Sequence, residues 1–282
     1  MASPSRPDRL AVLIDAENTS PRVAEGLFNE IARIGEASVR RIYGDFSGTR
    51  LKSWAEILAR HAIVPHQQFA YTTGKNASDI TLVIDAMDLL HSGLFEGFCL
   101  VSSDSDFTRL ASRIREQGID VYGFGEQKTA ESFRQACRRF IYTENLVAAA
   151  PVPEAGQPAK TRRLHPPGAA TPLLCQAIAQ MDEEDGWVQL GRVGQQLGNL
   201  APDFDPRTYG HAKLSDLVRE TGAFDIDRPE GKNLRIRLKG GAAPGVEHKP
   251  DAESKPDGES KPDAARKPAG EKKSAGEKKK KG

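Results

Sequence analysis

Between residues 9 and 147, short apolar runs alternate with longer stretches of helical period. The strand candidates are LAVLI at 10–14, SVRRIYG at 38–44, IVPHQQF at 63–69, GFCLVS at 97–102 and VYGFG at 121–125. The first helical stretch, TSPRVAEGLFNEIARIG, has Ser20 as an N-cap, Pro21 at the first helical position and a stop at Gly35. SWAEILARH, SDITLVIDAMDLLHSG and DFTRLASRIREQG follow, and KTAESFRQACRRFIYTENL reads as a closing helix. Strand–helix–strand repetition at this spacing means right-handed crossovers and a mostly parallel sheet, the α/β class.

In such a sheet, ligands bind beyond the carboxyl ends of the strands, where the strand order reverses. The first strand runs out in LIDAEN, so Asp15 leaves the core there. The fourth runs out in LVSSDSD and delivers Asp104 and Asp106 to the same edge. If strands two and three wind to one side before the chain returns, strands one and four are neighbours, about 4.8 Å apart. Asp79, in GKNASDI, starts a helix whose Ile80, Val83, Ile84 and Met87 can pack on the sheet, which brings a further acid over that edge. Clustered carboxylates repel and raise one another's pKa unless a divalent ion neutralises them. Oxygen-only ligands select Mg²⁺ or Mn²⁺ over zinc, and such an ion activates water and offsets charge on a phosphoryl oxygen. Phosphodiester hydrolysis is the matching reaction class.

Capping is the competing account. Asp79, Asp104 and Asp106 each precede or open a helix, where Asp is a preferred cap. Asp15 has no such role, because Ser20 already caps the next helix. Asn18 either closes a turn after Asp15 or holds its carboxylate or a metal-bound water. Asp85 and Asp88 turn away from the face of Asp79. Asp88 is expected at the surface, Asp85 behind the ligands, and Asp45 in a loop.

Residues 148–170, rich in Ala and Pro, read as a linker. Residues 171–239 offer three helices, TPLLCQAIAQMDEED, VQLGRVGQQLGNL and DPRTYGHAKLSDLVRETG, then two short strands, AFDID and NLRIRL. Those are the parts of a winged helix-turn-helix. RTYGHAKL reads as the second helix of the turn and offers Arg207, Tyr209, His211 and Lys213. Lys232, Arg235 and Arg237 decorate the wing. The plain alternative is a solvated basic face over a core of Leu214, Leu217 and Val218. Residues 240–282 carry a degenerate repeat of Lys, Pro, Asp, Glu and Ser with almost no apolar side chain, so they are expected to stay disordered. The net charge of +1 hides the basic end of that tail, a handle for polyanions or a solubilising segment.

The motifs VLIDAEN, RIYGDF, GKNASDITLVIDAMDLL and CLVSSDSDFTRLASRIREQG, in this order, resemble the NYN domain of the LabA-like group within the PIN-like nuclease superfamily. The resemblance covers roughly 9–147. It implies a PIN-like three-layer α/β/α sandwich and metal-dependent RNA cleavage. It puts the catalytic and metal site on Asp15, Asp79, Asp104 and Asp106, with Asn18 beside Asp15. DEEDGWVQLGRVGQQLGNLAPDFDPRTYGHAKLSDLVRETGAFDI resembles the LOTUS, or OST-type helix-turn-helix, domain and implies binding of RNA, with structured RNA as one candidate. The reading is a two-domain ribonuclease, with endonuclease action favoured. Its rivals are an RNA-binding adaptor with a vestigial acidic pocket and a DNA-binding regulator.

Cys99, Cys137 and Cys175 form no CxxC pair and have no His at ligand spacing, which argues against a thiolate zinc site. No signal peptide is visible, and no apolar run approaches about 18 residues. Together these favour a cytoplasmic protein without a membrane span. A homodimer stays open, since the oligomeric state is not legible here.

Overall fold

The computed structural model describes residues 6–69, 77–147, 164–181, 186–231 and 233–240. The expected linker falls outside the described residues as far as 163, and the expected tail lies outside them beyond 240.

Along the chain come β1 (Arg9–Asp15), α1 (Ala24–Ile31), β2 (Glu36–Gly44), α2 (Lys52–Ala55), β3 (Val64–Gln67), α3 (Ala77–His91), β4 (Gly97–Val101), α4 (Thr108–Glu116), β5 (Asp120–Gly125), α5 (Glu131–Ala136) and β6 (Arg139–Tyr142). The six strands form one parallel sheet of order β3-β2-β1-β4-β5-β6. β1 and β4 are its centre, and their continuous apolar runs are what a strand covered on both faces requires. On one face, Leu13 and Leu100 pack with Leu82 of α3, Leu110 and Ile114 of α4 and Phe133 of α5. On the other, Val12 and Ile14 pack with Leu27 and Ile31 of α1 and with Trp54 of α2. This is the expected α/β/α layering.

Two local readings are corrected. The closing helix stops at Ala136, and Arg139–Tyr142 is a sixth strand. Phe140 belongs to one core and Ile141 to the other, a period of two that no helix phase can bury. α3 meets the expectation in part: Val83 and Met87 pack against the core, but Ile80 and Ile84 do not. It buries Ser78, Leu82 and Ala86, while Ile80 and Ile84 are 61% and 58% exposed. Its sequence is apolar on most sides, so the pattern alone leaves the phase undetermined.

Further on, a 3₁₀ turn at Pro167–Ala170 leads into α6 (Thr171–Ala179), β7 (Val188–Gln189), α7 (Leu190–Leu200), α8 (Leu214–Thr221), β8 (Phe224–Asp227) and β9 (Arg235–Leu238). The three strands form an antiparallel sheet, β7-β9-β8. Leu174, Val193, Leu197, Leu217 and Ile236 fill the core beneath it. Ala170 is buried in that core too, so packing begins before Thr171. The helix expected over DPRTYGHAKLSDLVRETG is broken. A 3₁₀ turn spans Pro206–Tyr209, Gly210 takes a left-handed φ of 87°, and α8 starts only at Leu214.

Gly26 of α1 is a point of close approach. A Cβ there would sit 2.1 Å from the Leu146 carbonyl oxygen, a backbone atom that cannot move aside cheaply. Exposed Gly198 of α7 has nothing within 4 Å of the same position. Gly26→Ala is therefore expected to destabilise by about 1–3 kcal/mol, while Gly198→Ala stabilises by up to about 1 kcal/mol through helix propensity. Urea unfolding of the two variants measures the opposite signs.

Candidate functional site

Register builds the site. Ile14 pairs with Val101, so the next residues, Asp15 and Ser102, leave the sheet side by side at the point where strand order reverses. Asp15 is 1% exposed. Its Oδ1 accepts the backbone N–H groups of Glu17 at 2.9 Å and Asn18 at 3.2 Å. Its Oδ2 accepts Asn18 Nδ2 at 2.8 Å and Ser102 Oγ at 2.7 Å. Asn18 thus both closes the turn and holds the carboxylate. Ser102 Oγ also accepts the Asp104 backbone N–H at 3.0 Å, so one hydroxyl couples the two strand ends. Thr19 Oγ1 donates to the Val101 carbonyl at 3.1 Å and ties the loop after β1 to β4.

Asp104 does cap, as the competing account allowed. Its Oδ1 accepts the Asp106 N–H at 2.9 Å at the head of a 3₁₀ turn that runs into α4. Among the described residues its Oδ2 takes no hydrogen bond. Asp106 is exposed on that turn. Asp79 is half-buried in the first turn of α3. Burial, followed by the charges of Asp15, Asp104, Glu17 and Asp106, pushes its carboxyl up to about 6. The four predicted acids are therefore brought within one another's field.

Glu17 is a fifth carboxylate that the sequence pattern did not single out. It accepts Ser78 Oγ at 3.4 Å and faces the largely exposed Arg50 at 3.7 Å. Its signal was its place in LIDAEN, two residues after Asp15. Ser102 was missed as a bridge because a hydroxyl after a strand looks like ordinary turn chemistry.

Asp85 stands apart from these acids. It accepts the Tyr43 hydroxyl at 2.5 Å, pairs with Arg41 at 2.6 Å and lies 3.6 Å from His66 Nδ1. Burial pushes its carboxyl up, but Tyr43 and Arg41 outweigh that and hold it below the ordinary range. Asp88 is exposed, and Asp45 accepts Ser47 and Gln67 in the loop after β2.

The acids suit a hard divalent cation in kind, since their donors are all oxygen. Among the described residues, however, no three His, Cys, Asp or Glu side chains group closely enough to hold a metal ion.

The predicted RNA-binding residues divide. The Arg207 guanidinium lies between Asp205, at 2.6 Å, and Glu30 of α1, at 3.0 Å. Tyr209 is half-buried, packs edge-on against His165 and lies tilted against Phe204. His211 is half-buried and Lys213 is exposed at the N-cap of α8. Lys232 lies outside the described residues. On the wing, the guanidinium groups of Arg235 and Arg237 stack on Trp187 at 4.8 and 4.7 Å while pairing with Asp227 and Asp225. Trp187 was missed because a lone Trp beside an acidic stretch reads as core.

The family model of the NYN domain matches residues 9–144, and that of the OST-HTH/LOTUS domain matches residues 168–236. The chain is an NYN domain protein with a following OST-HTH/LOTUS domain. NYN domains are generally ribonucleases that use divalent metals, and LOTUS domains bind RNA. A search of curated proteins finds no match. Among solved structures, a Vibrio parahaemolyticus protein of unknown function is 18% identical, covering 50% of this chain and 95% of its own, with a TM-score of 0.42. An uncharacterised Nitrosomonas europaea protein is 36% identical over 33% of this chain and 84% of its own, with a TM-score of 0.22. Neither likeness adds to the assignment. Among the described residues no helix is long and apolar enough to cross a membrane.

The raised Asp79 carboxyl gives a pH signature for the NYN domain. Its folded pKa, about 6, lies above its ordinary 3.8, so the favourable contribution is complete below pH 4 and is lost as pH rises through 6. Metal-free Asp79→Asn is expected to exceed wild type in stability by about 1 kcal/mol at pH 8, a figure discounted for solvent screening. At pH 4 the two should unfold alike. Urea titrations in chelator at both pH values test this.

Proposed function

We propose that the chain is a divalent-metal-dependent ribonuclease whose NYN domain hydrolyses RNA phosphodiesters while the LOTUS domain holds the RNA. The supporting observation is the group of Asp15, Glu17, Asp79, Asp104 and Asp106 at the switch point of a parallel sheet, where burial and then the neighbouring carboxylates push the Asp79 carboxyl up to about 6. Asp15 and Asp104 would be the principal ligands for Mg²⁺ or Mn²⁺, with Asp79 and Asp106 binding the ion directly or orienting water as a general base. Bound there, the ion would supply a more acidic water and charge neutralisation at the phosphoryl oxygen.

The remaining work falls to side chains. Asn18 and Ser102 fix the plane of the Asp15 carboxylate, the role outer partners play around a ligand. Asp79 accepts the proton of the attacking water, whose oxygen forms the new bond to phosphorus as the bond to the leaving oxygen breaks. In the LOTUS domain, Lys213 offers charge to phosphates, and Trp187, backed by Arg235 and Arg237, offers a face to a base. The setting is cytoplasmic.

One observation favours a second reading. Asp15 already holds four donors, and the acids do not close on a point among the described residues. An RNA-binding adaptor that never loads metal has those properties. Incubating labelled RNAs with purified protein, with and without Mn²⁺, separates the two. Cleavage that needs the metal and falls at least about 100-fold in Asp15→Asn supports the nuclease, whereas RNA binding without cleavage supports the adaptor. Ser102→Ala and Asn18→Ala are expected to weaken metal affinity about 10–100-fold, measured by Mn²⁺ titration.

A further inference from the structure

The loop from Pro202 to Tyr209 belongs to the LOTUS domain by sequence, yet its polar groups are spent on the NYN domain. The Pro202 carbonyl accepts the Phe140 N–H at 2.8 Å, which satisfies a backbone donor on the free edge of β6. Asp203 accepts the Tyr142 hydroxyl at 2.5 Å and pairs with Arg134 of α5. Asn145 Nδ2 donates to Thr208 Oγ1 at 3.1 Å. Arg207 places two nitrogens on Glu30, at 3.0 and 3.4 Å, while Asp205 holds the other side of its fork.

Glu30 is the hub. Its side chain is only 5% exposed, and it also accepts Arg33 at 3.1 Å and Arg139 at 3.2 Å. A carboxylate buried on the face of α1 needs such partners, and of the three among the described residues one comes from the other domain. The fork-to-carboxylate geometry at low exposure distinguishes this contact from an ordinary surface ion pair.

We infer that residues 202–209 clamp the LOTUS domain onto the β6 edge and α1 of the NYN domain, and that Glu30, Arg207 and Asp203 are positioning residues for RNA cleavage. The clamp holds the RNA-binding face at one place relative to the acidic pocket. RNA seated on the LOTUS domain is then cut at a set distance from the element it holds. Arg207 acts within the protein and is not one of the phosphate contacts. This inference rests on the proposed nuclease function for its effect on cutting, while the clamp itself is a statement about the protein alone.

The test uses the full chain and the variants Glu30→Gln, Asp203→Asn and the two combined. Small-angle scattering without RNA reads the clamp, and mapping of cut positions on an end-labelled RNA with Mn²⁺ reads its consequence. The combined variant is expected to show a larger radius of gyration and to replace one narrow group of cuts with a broad ladder. Its kcat on a short oligonucleotide that does not need the LOTUS domain should be unchanged, while kcat/KM on the long RNA falls about tenfold. Arg207→Lys should lie between wild type and the combined variant. Unchanged scattering in the combined variant overturns the clamp. Unchanged cut positions, or a ladder already present in the wild type, overturn the positioning role. Loss of RNA affinity in Arg207→Lys, with Glu30→Gln and Asp203→Asn like wild type, makes Arg207 a phosphate ligand and overturns the proposal. Should Glu30→Gln fail to fold, Asp203→Asn paired with Arg134→Gln breaks the other half of the contact. If wild type cuts no RNA, the nuclease reading fails, and scattering still decides the clamp.

Discussion

A carboxylate that is 1% exposed and, among the described residues, carries no cationic partner can exist only if hydrogen bonds replace its water. Asp15 meets that requirement with two backbone N–H groups, one amide and one hydroxyl. The hydroxyl belongs to Ser102, the residue just past the neighbouring strand, so the bond set exists only when β1 and β4 are adjacent and in register. Strand order, the turn through Asn18 and the placing of Asp104 are thus parts of one constraint. A buried polar group of this kind at the end of a central strand also opposes a register slip, since a shift of one residue would turn Asp15 to the other face and strand it.

The sheet was legible because its central strands are long apolar runs ending in acids, which is how strands covered on both faces and open at one end are written. The switch point followed from connection rules, and the meeting of Asp15 with Asp104 followed from the switch point. β6 was not legible as a strand because RFIY sits directly behind a helical stretch, and helix and strand compete for short apolar runs. The phase of α3 was lost for a related reason. With Ile, Leu, Val and Met on most of its sides, pattern cannot say which face is inward, and only packing against Tyr43 and Leu13 decides it. The break at Gly210 was readable in principle, since glycine in a helical pattern invites a left-handed residue.

Within the pocket, acids were easier to find than the groups that hold them. Aspartates after a strand stand out against an apolar run. Ser102 and Glu17 do not, because their contribution is relational and depends on which strand lies alongside. Arg207 is the reverse case. Its charge and its place in a helix-turn-helix pattern suggested a nucleic-acid contact, but the partner that claims it, Glu30, lies 177 residues away in sequence. Long-range ion pairs leave no local mark in a sequence. The same fork that would suit a phosphate suits a carboxylate equally well.

The bond between Ser102 and Asp15 spans 87 residues of chain. Contacts at such separation form late, because loop closure must be met before they stabilise anything. At roughly 5–20 residues per second, a ribosome needs on the order of ten seconds to pass from one residue to the other. Through that interval β1 has emerged without its neighbour, and Asp15 has no Ser102 to hold it. The acidic pocket is therefore absent from the growing chain until β4 and the turn carrying Asp104 are made. By this topology the site is assembled only in the later part of the domain's translation, and a nascent chain that stops short of β4 carries Asp15 without the hydroxyl that holds it.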